Sequence, residues 1–277
     1  MNEGRKLFCE YGPVFYRISR FKEKIRRRVS DTMERNRFTA AISDESLPFI
    51  WKGHQSFILR ELTGVDMQLQ HNKAENLRIS GKKIDGVLLY PGDIFSFWHL
   101  VKVTSKRQGY LKGLVIKHGK LDSGYGGGIC QLANLIHYMV LHTPLEVLEI
   151  HHHSDALFPD NGRRVPFGTG TSVLYPAVDY RIRNNTNATV QIRIWQDDTF
   201  LYGEVRSTEA LDKRYRLIEE NSHFRNENDI FYRCSEVYRI ITDKNTKETH
   251  KELVLKNHSK VMYDYSLIPV NEIAKER

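Results

Sequence analysis

The sequence predicts an α+β protein, with helices mainly in the first half and an antiparallel β meander dominating the second. Apolar residues recur at helical steps in 15–29 and 129–141, whereas 178–205 and 214–256 alternate apolar and polar positions. Turn residues, Asn184-Asn185-Thr186-Asn187, Asp197-Asp198 and the 243–246 stretch, separate the alternating runs. With 277 residues, 40% hydrophobic content, eight Pro and 18 Gly, the chain can build a real core and is too poor in linker residues to be disordered.

The elements follow in order. Phe15, Ile18, Phe21, Ile25 and Val29 step by three, three, four and four, which predicts an amphipathic helix within an N-terminal segment 1–40. The rest, 41–277, reads as one domain with a motif core at 70–205 and a β-rich extension at 206–277. A polar helix over 66–83 leads into a strand at Val87, Leu88 and Leu89, stopped by Pro91-Gly92-Asp93. Residues 114–117 read as a short strand, with Gly119 and Gly124 as turns. The strongest helix is 129–141, where Leu132, Leu135, Ile136, Met139 and Val140 form one face and Pro144 closes the segment. Residues 145–150 alternate apolar and acidic and predict a strand.

The net charge is +8, and the window 17–28 holds seven basic residues against one acid, Glu23. The rest of the chain is therefore close to neutral, which argues against a nucleic-acid partner, and no recognition motif accompanies the charge. Two readings of the basic helix remain. Its apolar stripe packs it on the domain, or it lies on an anionic membrane surface through residues 15–29. No run approaches the length of a membrane span, and the N-terminus is charged from residue 3, so a cytoplasmic protein is expected, with peripheral contact to the inner membrane face as an option. Cys9, Cys130 and Cys234 are too scattered for a disulfide framework or a zinc ribbon. No cofactor or metal is expected.

Chemistry is predicted at Gly124-Tyr125-Gly126-Gly127-Gly128-Ile129-Cys130-Gln131. Consecutive glycines permit a tight turn and a close approach of substrate to the main chain. A cysteine in the first turn of the following helix meets the positive end of the dipole and unpaired N–H groups, which favour thiolate and can receive an oxyanion. A simply buried cysteine is the alternative, and a phosphate loop fits poorly because the Lys-Ser/Thr pair is missing. Histidines are the available bases. His137 and His142 share the helix, and His151, His152 and His153 follow the next strand, where an antiparallel return would bring them to the helix start. Alternation puts His151 and His153 on one face, and His153 is the expected base. Zinc at His151 and His153 would lack a fourth ligand beyond Cys130.

Pro91-Gly92-Asp93-Ile94-Phe95-Ser96-Phe97-Trp98, Gly126-Gly127-Gly128-Ile129-Cys130-Gln131 and His142-Thr143-Pro144-Leu145 together resemble the VanW family. So do His153 with Phe158-Pro159, and Asp179 with Arg183-Asn184-Asn185-Thr186. The resemblance implies a cell-wall or glycopeptide-resistance protein acting on a peptidoglycan stem peptide or precursor. Similar domains in longer cell-wall proteins are cysteine-dependent peptidoglycan L,D-transpeptidases. Carried over, it makes Cys130 the nucleophile and His153 its base, with Gly127, Gly128 and Gln131 at the oxyanion and backbone positions. Family members commonly carry an aspartate where this chain has Gly170, so Asp155 or Asp179 takes the orienting role or the chain does without one, and His151 is a further secondary candidate at the site. A non-catalytic accessory that binds a cell-wall precursor or a protein partner is the alternative.

Overall fold

The structure, a computed structural model, describes residues 8–33, 36–59, 66–117, 120–152, 155–157, 159 and 165–274. Helix α1 (Pro13–Met33) precedes strand β1 (Phe49–Phe57) and helix α2 (Met67–Lys82). The Asp66 carboxylate caps α2 by accepting from Gln68 N at 2.8 Å, which fixes its start at the expected place. Strands β2 (Val87–Leu89) and β3 (Ile94–Ser96) follow, then the short helix α3 (Phe97–Val101). Strands β4 (Lys112–Lys117) and β5 (Lys120–Tyr125) form a hairpin that runs into helix α4 (Cys130–Val140). Gly124 therefore lies inside β5 and is not a turn, while Gly119 falls outside the described residues.

The second half comprises β6 (Glu146–Glu149), β7 (Asp155–Ala156), β8 (Arg181–Arg183), β9 (Val190–Gln196), β10 (Phe200–Ser207), β11 (Lys213–Glu227), β12 (Ile230–Asp243) and β13 (Thr249–Val261). The fold is α+β, but its β part is not one meander. Strands β9 and β10 join the first half in a sheet ordered β1-β10-β9-β2, and β8 sits between β3 and β6 in another. Only β11, β12 and β13 continue as a meander, edged by a parallel pairing of β13 with β7. Alternation identifies a strand but not its partner, which is why these groupings were invisible locally.

Helices α2 and α4 lie on the β1-β10-β9-β2 sheet. Gly81 of α2 meets Ile194, and Gly203 of β10 meets Leu135 and Met139 of α4. Leu77, Val87, Phe95, Leu132, Leu135, Ile136, Tyr180 and Ile192 belong to the resulting main core. A smaller core of Ala156, Phe167, Phe224, Val261 and Ile268 lies under the β11–β13 sheet.

Helix α1 departs from the expected packing. Its polar face, not its apolar stripe, meets the domain. Arg27 bonds both carboxylate oxygens of Glu149 and the carbonyl of Ala177, and Asp31 pairs with Arg181 at 2.6 Å. The apolar stripe faces outward, with Phe21 66% exposed and Val29 52% exposed.

Candidate active site at the start of helix α4

The glycine run bends the chain from β5 into α4. Gly126 and Gly128 have φ of +76° and +89°, which side-chain-bearing residues rarely adopt. Gly127 serves a different purpose, close backbone packing. A Cβ there would lie 2.1 Å from the carbonyl oxygen of Gly113 on β4. Asn76 of α2 locks the same turn, donating from Nδ2 to Gly127 O at 2.9 Å and to Leu111 O at 3.0 Å while accepting from Leu111 N at 2.8 Å. Above Gly128 lies the aliphatic stem of Lys73, and above Gly126 lies Thr104. The space over the glycines is therefore filled by the protein itself. On the side a Cβ would take, the glycines thus serve internal packing and not an opening for substrate.

Cys130 occupies the first position of α4, and no side chain caps that end. Gly127 N–H donates to Gly124 O at 2.9 Å, and Gln131 N–H donates to Gly128 O at 3.1 Å. The Gln131 side chain is also committed, to Ser56 Oγ at 3.0 Å and Phe57 O at 2.7 Å. Gly127 and Gln131 are thus removed as oxyanion donors, because their N–H groups already have acceptors. Among the described residues, the N–H groups of Gly128 and Cys130 donate to no backbone carbonyl, and these two remain for a developing negative charge.

The Cys130 sulfur is partly buried, packs against the main core and lies 3.7 Å from Val173 O. Burial pushes its thiol above the ordinary value, and hydrogen bonding with the backbone of Val173 and with the residue's own backbone pulls the other way without reversing this. The direction is opposite to that expected from the helix dipole alone. Removing the sulfur from water disfavours its charged form more than the helix terminus favours it.

The segment that supplies Val173 runs along α4. Thr171 N donates to Asn134 Oδ1 at 2.7 Å, and Ser172 N donates to His151 O at 2.7 Å. His152 Nδ1 lies 3.0 Å from Gly168 O and 3.1 Å from Gly170 O. Carbonyl oxygens only accept, so Nδ1 carries the proton and a neutral ring presents its lone pair at Nε2. The far end of the segment is held by the extension, where Asn257 of β13 donates to Phe167 O at 2.8 Å. One loop therefore links the second sheet to the cysteine.

Among the described histidines, none is bonded to the Cys130 sulfur, whose hydrogen-bond partner is Val173 O. His152 stacks edge-on against His137 at 6.5 Å, and His137 lies seven residues beyond Cys130, about 10 Å along the helix axis. The His137 ring bonds Tyr180 Oη at 3.1 Å, and burial lowers its pKa to about 3. His151 turns the other way and bonds Glu149 at 2.9 Å. Burial by itself would raise Glu149, but Arg27, His151 and the N–H of Asp179 together bring its pKa down to about 2. His142, expected on the helix, falls in the turn just past the end of α4 and bonds Tyr138 O at 2.8 Å. His153, the expected base, lies outside the described residues.

Neither carboxylate candidate reaches the cysteine. Asp179 accepts from Ser96 Oγ, Trp98 N, Tyr180 N and Arg181 Nε, so it organises the start of α3 and the β3-β8 pair. Asp155 sits on β7 opposite Lys260, in the second sheet. A Cβ at Gly170 would approach Asn134 Oδ1 at 3.3 Å, so a carboxylate there would stand beside α4 between Cys130 and His137. No cluster of three or more His, Cys, Asp or Glu able to hold a metal forms among the described residues. Asn76, Asn134 and Val173 are the site-forming residues that the sequence did not single out. A buried Asn facing a glycine turn becomes recognisable only once α2 is seen to pack there.

An α+β domain with a cysteine opening a helix after a glycine turn is the class of protein this fold and site define. Residues 72–206 match the model of the VanW-like proteins. The chain is 30% identical over 227 residues to the vancomycin B-type resistance protein VanW of Enterococcus faecalis (strain ATCC 700802 / V583), covering 82% of each chain. It is 26% identical over 147 residues to the uncharacterized protein YoaR of Bacillus subtilis (strain 168), covering 53% of this chain and 47% of that one. No solved structure matches the chain. The chain belongs to the VanW family.

Proposed function

We propose that this vancomycin-resistance-associated protein acts on peptidoglycan stem peptides or their precursors, with Cys130 as the nucleophile of an acyl transfer of the L,D-transpeptidase type. The observation that supports this reading is the start of α4, where a thiol stands beside two backbone N–H groups without carbonyl partners. Sulfur attacks a stem-peptide carbonyl, the C–N bond to the next residue breaks, and the released amine takes the proton that leaves the thiol. An amine of a second stem then attacks the thioester, and its proton returns to sulfur. The N–H groups of Gly128 and Cys130 receive the oxyanion in both halves.

Burial favours the protonated form of the resting thiol, so the attack needs a base to take its proton. His153 is the base that the family resemblance supplies for that step. A second reading, a non-catalytic accessory that binds a precursor or partner, is favoured by the raised thiol pKa and by the place of His137 about two turns along α4 from the cysteine.

A synthetic stem peptide as acyl donor separates the two. Intact-mass analysis should show a thioester adduct on the wild type and none on Cys130→Ala. Equal peptide binding by both proteins with no adduct on either would place the accessory reading first.

A further inference from the structure

Helix α1 presents a face that the described residues leave uncovered. Phe15, Ile18, Phe21, Ile25 and Val29 are all exposed, although a helix of this length on a soluble domain ordinarily buries its apolar stripe. The opposite face is fixed. Arg27 bonds Glu149 and Ala177 O, Asp31 pairs with Arg181, and the Arg20 guanidinium lies 5.7 Å from the Tyr175 ring centre. The helix therefore cannot roll its apolar stripe inward without breaking an ionic seam that runs through Glu149, Asp179 and Arg181.

Charge identifies what covers the exposed face. At 3.6 residues per turn, Lys22 falls on one margin of the apolar stripe, and Arg17, Lys24 and Arg28 fall on the other. All four are exposed, and their side chains have no ion-pair or hydrogen-bond partner among the described residues. The only acid of the window, Glu23, is turned away from the stripe and bonded to Arg26. At the N-terminal end, Phe8 packs edge-on against Phe15 at 5.0 Å, which adds aromatic surface of the kind that sits at the headgroup boundary. An apolar stripe bordered on both sides by unpaired cations matches the interface of an anionic leaflet, where tails take the stripe and headgroups take the margins. No described helix is long and apolar enough to cross a membrane.

We propose that α1 is a membrane-surface anchor that lies flat on an anionic lipid leaflet, apolar face down, with the domain carried on its opposite face. The anchor touches the loop that reaches the cysteine, since Tyr175 and Ala177 contact α1 and Val173 contacts Cys130. The inference does not depend on the chemistry of Cys130.

The test is flotation of the full chain with vesicles of phosphatidylcholine alone or mixed equally with phosphatidylglycerol. Binding should be confined to the mixed vesicles and should weaken as salt rises. Neutralising Lys22, Lys24 and Arg28 to Ala should weaken it on the order of a hundred-fold. Phe21→Glu with Ile25→Glu should abolish it, with the thermal transition unchanged because both residues lie off the docked face. Equal flotation with neutral vesicles, no flotation, or variants that bind like the wild type would overturn the proposal. So would a dimer in solution that Phe21→Glu with Ile25→Glu converts to monomer, since a second copy would then cover the face.

Discussion

Helices α1 and α4 carry comparable apolar repeats and meet opposite surroundings. Helix α4 sets Leu132, Leu135, Ile136 and Met139 into the main core, whereas α1 leaves Phe15, Ile18, Phe21, Ile25 and Val29 in the open and docks through Arg27 and Asp31. The difference lies in what flanks each stripe. The α4 segment contains no Lys, Arg, Asp or Glu, so most of its surface accepts burial. In α1, basic residues border the stripe on both sides, and bringing it against a core would strip their water with no partner offered. A periodic apolar face states that it needs cover. Its flanks decide whether a protein core provides it.

The largest effect that sharpens this contrast is expected at the turn entering α4. Gly127→Ala places a Cβ 2.1 Å from Gly113 O, in a β4-to-turn contact that neither backbone can relax alone. A loss above about 4 kcal/mol, or failure to fold, is expected in urea titration. Gly92→Ala, at φ +84° but with no atom within 4 Å, should cost only about 1 kcal/mol.

Leu135→Ala should cost about 2–5 kcal/mol, because the side chain is 2% exposed against β10. Phe21→Ala on α1 should stay within about 0.5 kcal/mol. Equal losses at the two sites would break the comparison and mean that the α1 stripe is buried in solution.

Acid should act on the α4 side first. His137 has its pKa lowered from 6.5 to about 3 by burial, so the folded state holds the neutral ring. Its contribution is complete above pH 6.5 and falls as pH drops from 6.5 toward 3, amounting to about 2 kcal/mol by pH 5. Glu149, lowered from 4.5 to about 2, contributes fully above pH 4.5 and loses that contribution only below it. Thermal melts between pH 6.5 and 4.5 should therefore report histidines, and His137→Gln should flatten the slope there. The ionic seam under α1 should give way later, below pH 4.5.

The sequence carried the elements further than it carried their company. Asp66 marked the start of α2, Val87 to Leu89 formed the strand expected, and the glycines placed Cys130 at the first turn of α4. Each depends on residues close in the chain. The swap of β9 and β10 into a sheet with β1, the Asn76 lock on Gly127, and the loop from Phe167 to Val173 all depend on contacts across dozens of residues. The sign of the Cys130 shift was missed for the same reason. The helix terminus is local and readable, but the burial that outweighs it comes from the main core and the 167–173 loop.

The central claim about the site is that its thiol rests protonated while two backbone donors stand ready beside it. The most direct measurement is the pH dependence of Cys130 alkylation by iodoacetamide in a Cys9→Ser background, read by peptide mass spectrometry against denatured protein. Burial predicts an apparent pKa above the roughly 8.5 of a free thiol, and alkylation at neutral pH at least about tenfold slower than after denaturation. Cys234, also raised by burial, should behave similarly. An apparent pKa below about 7 for Cys130 in the absence of substrate would contradict the claim and mean that a charged partner reaches the sulfur at rest.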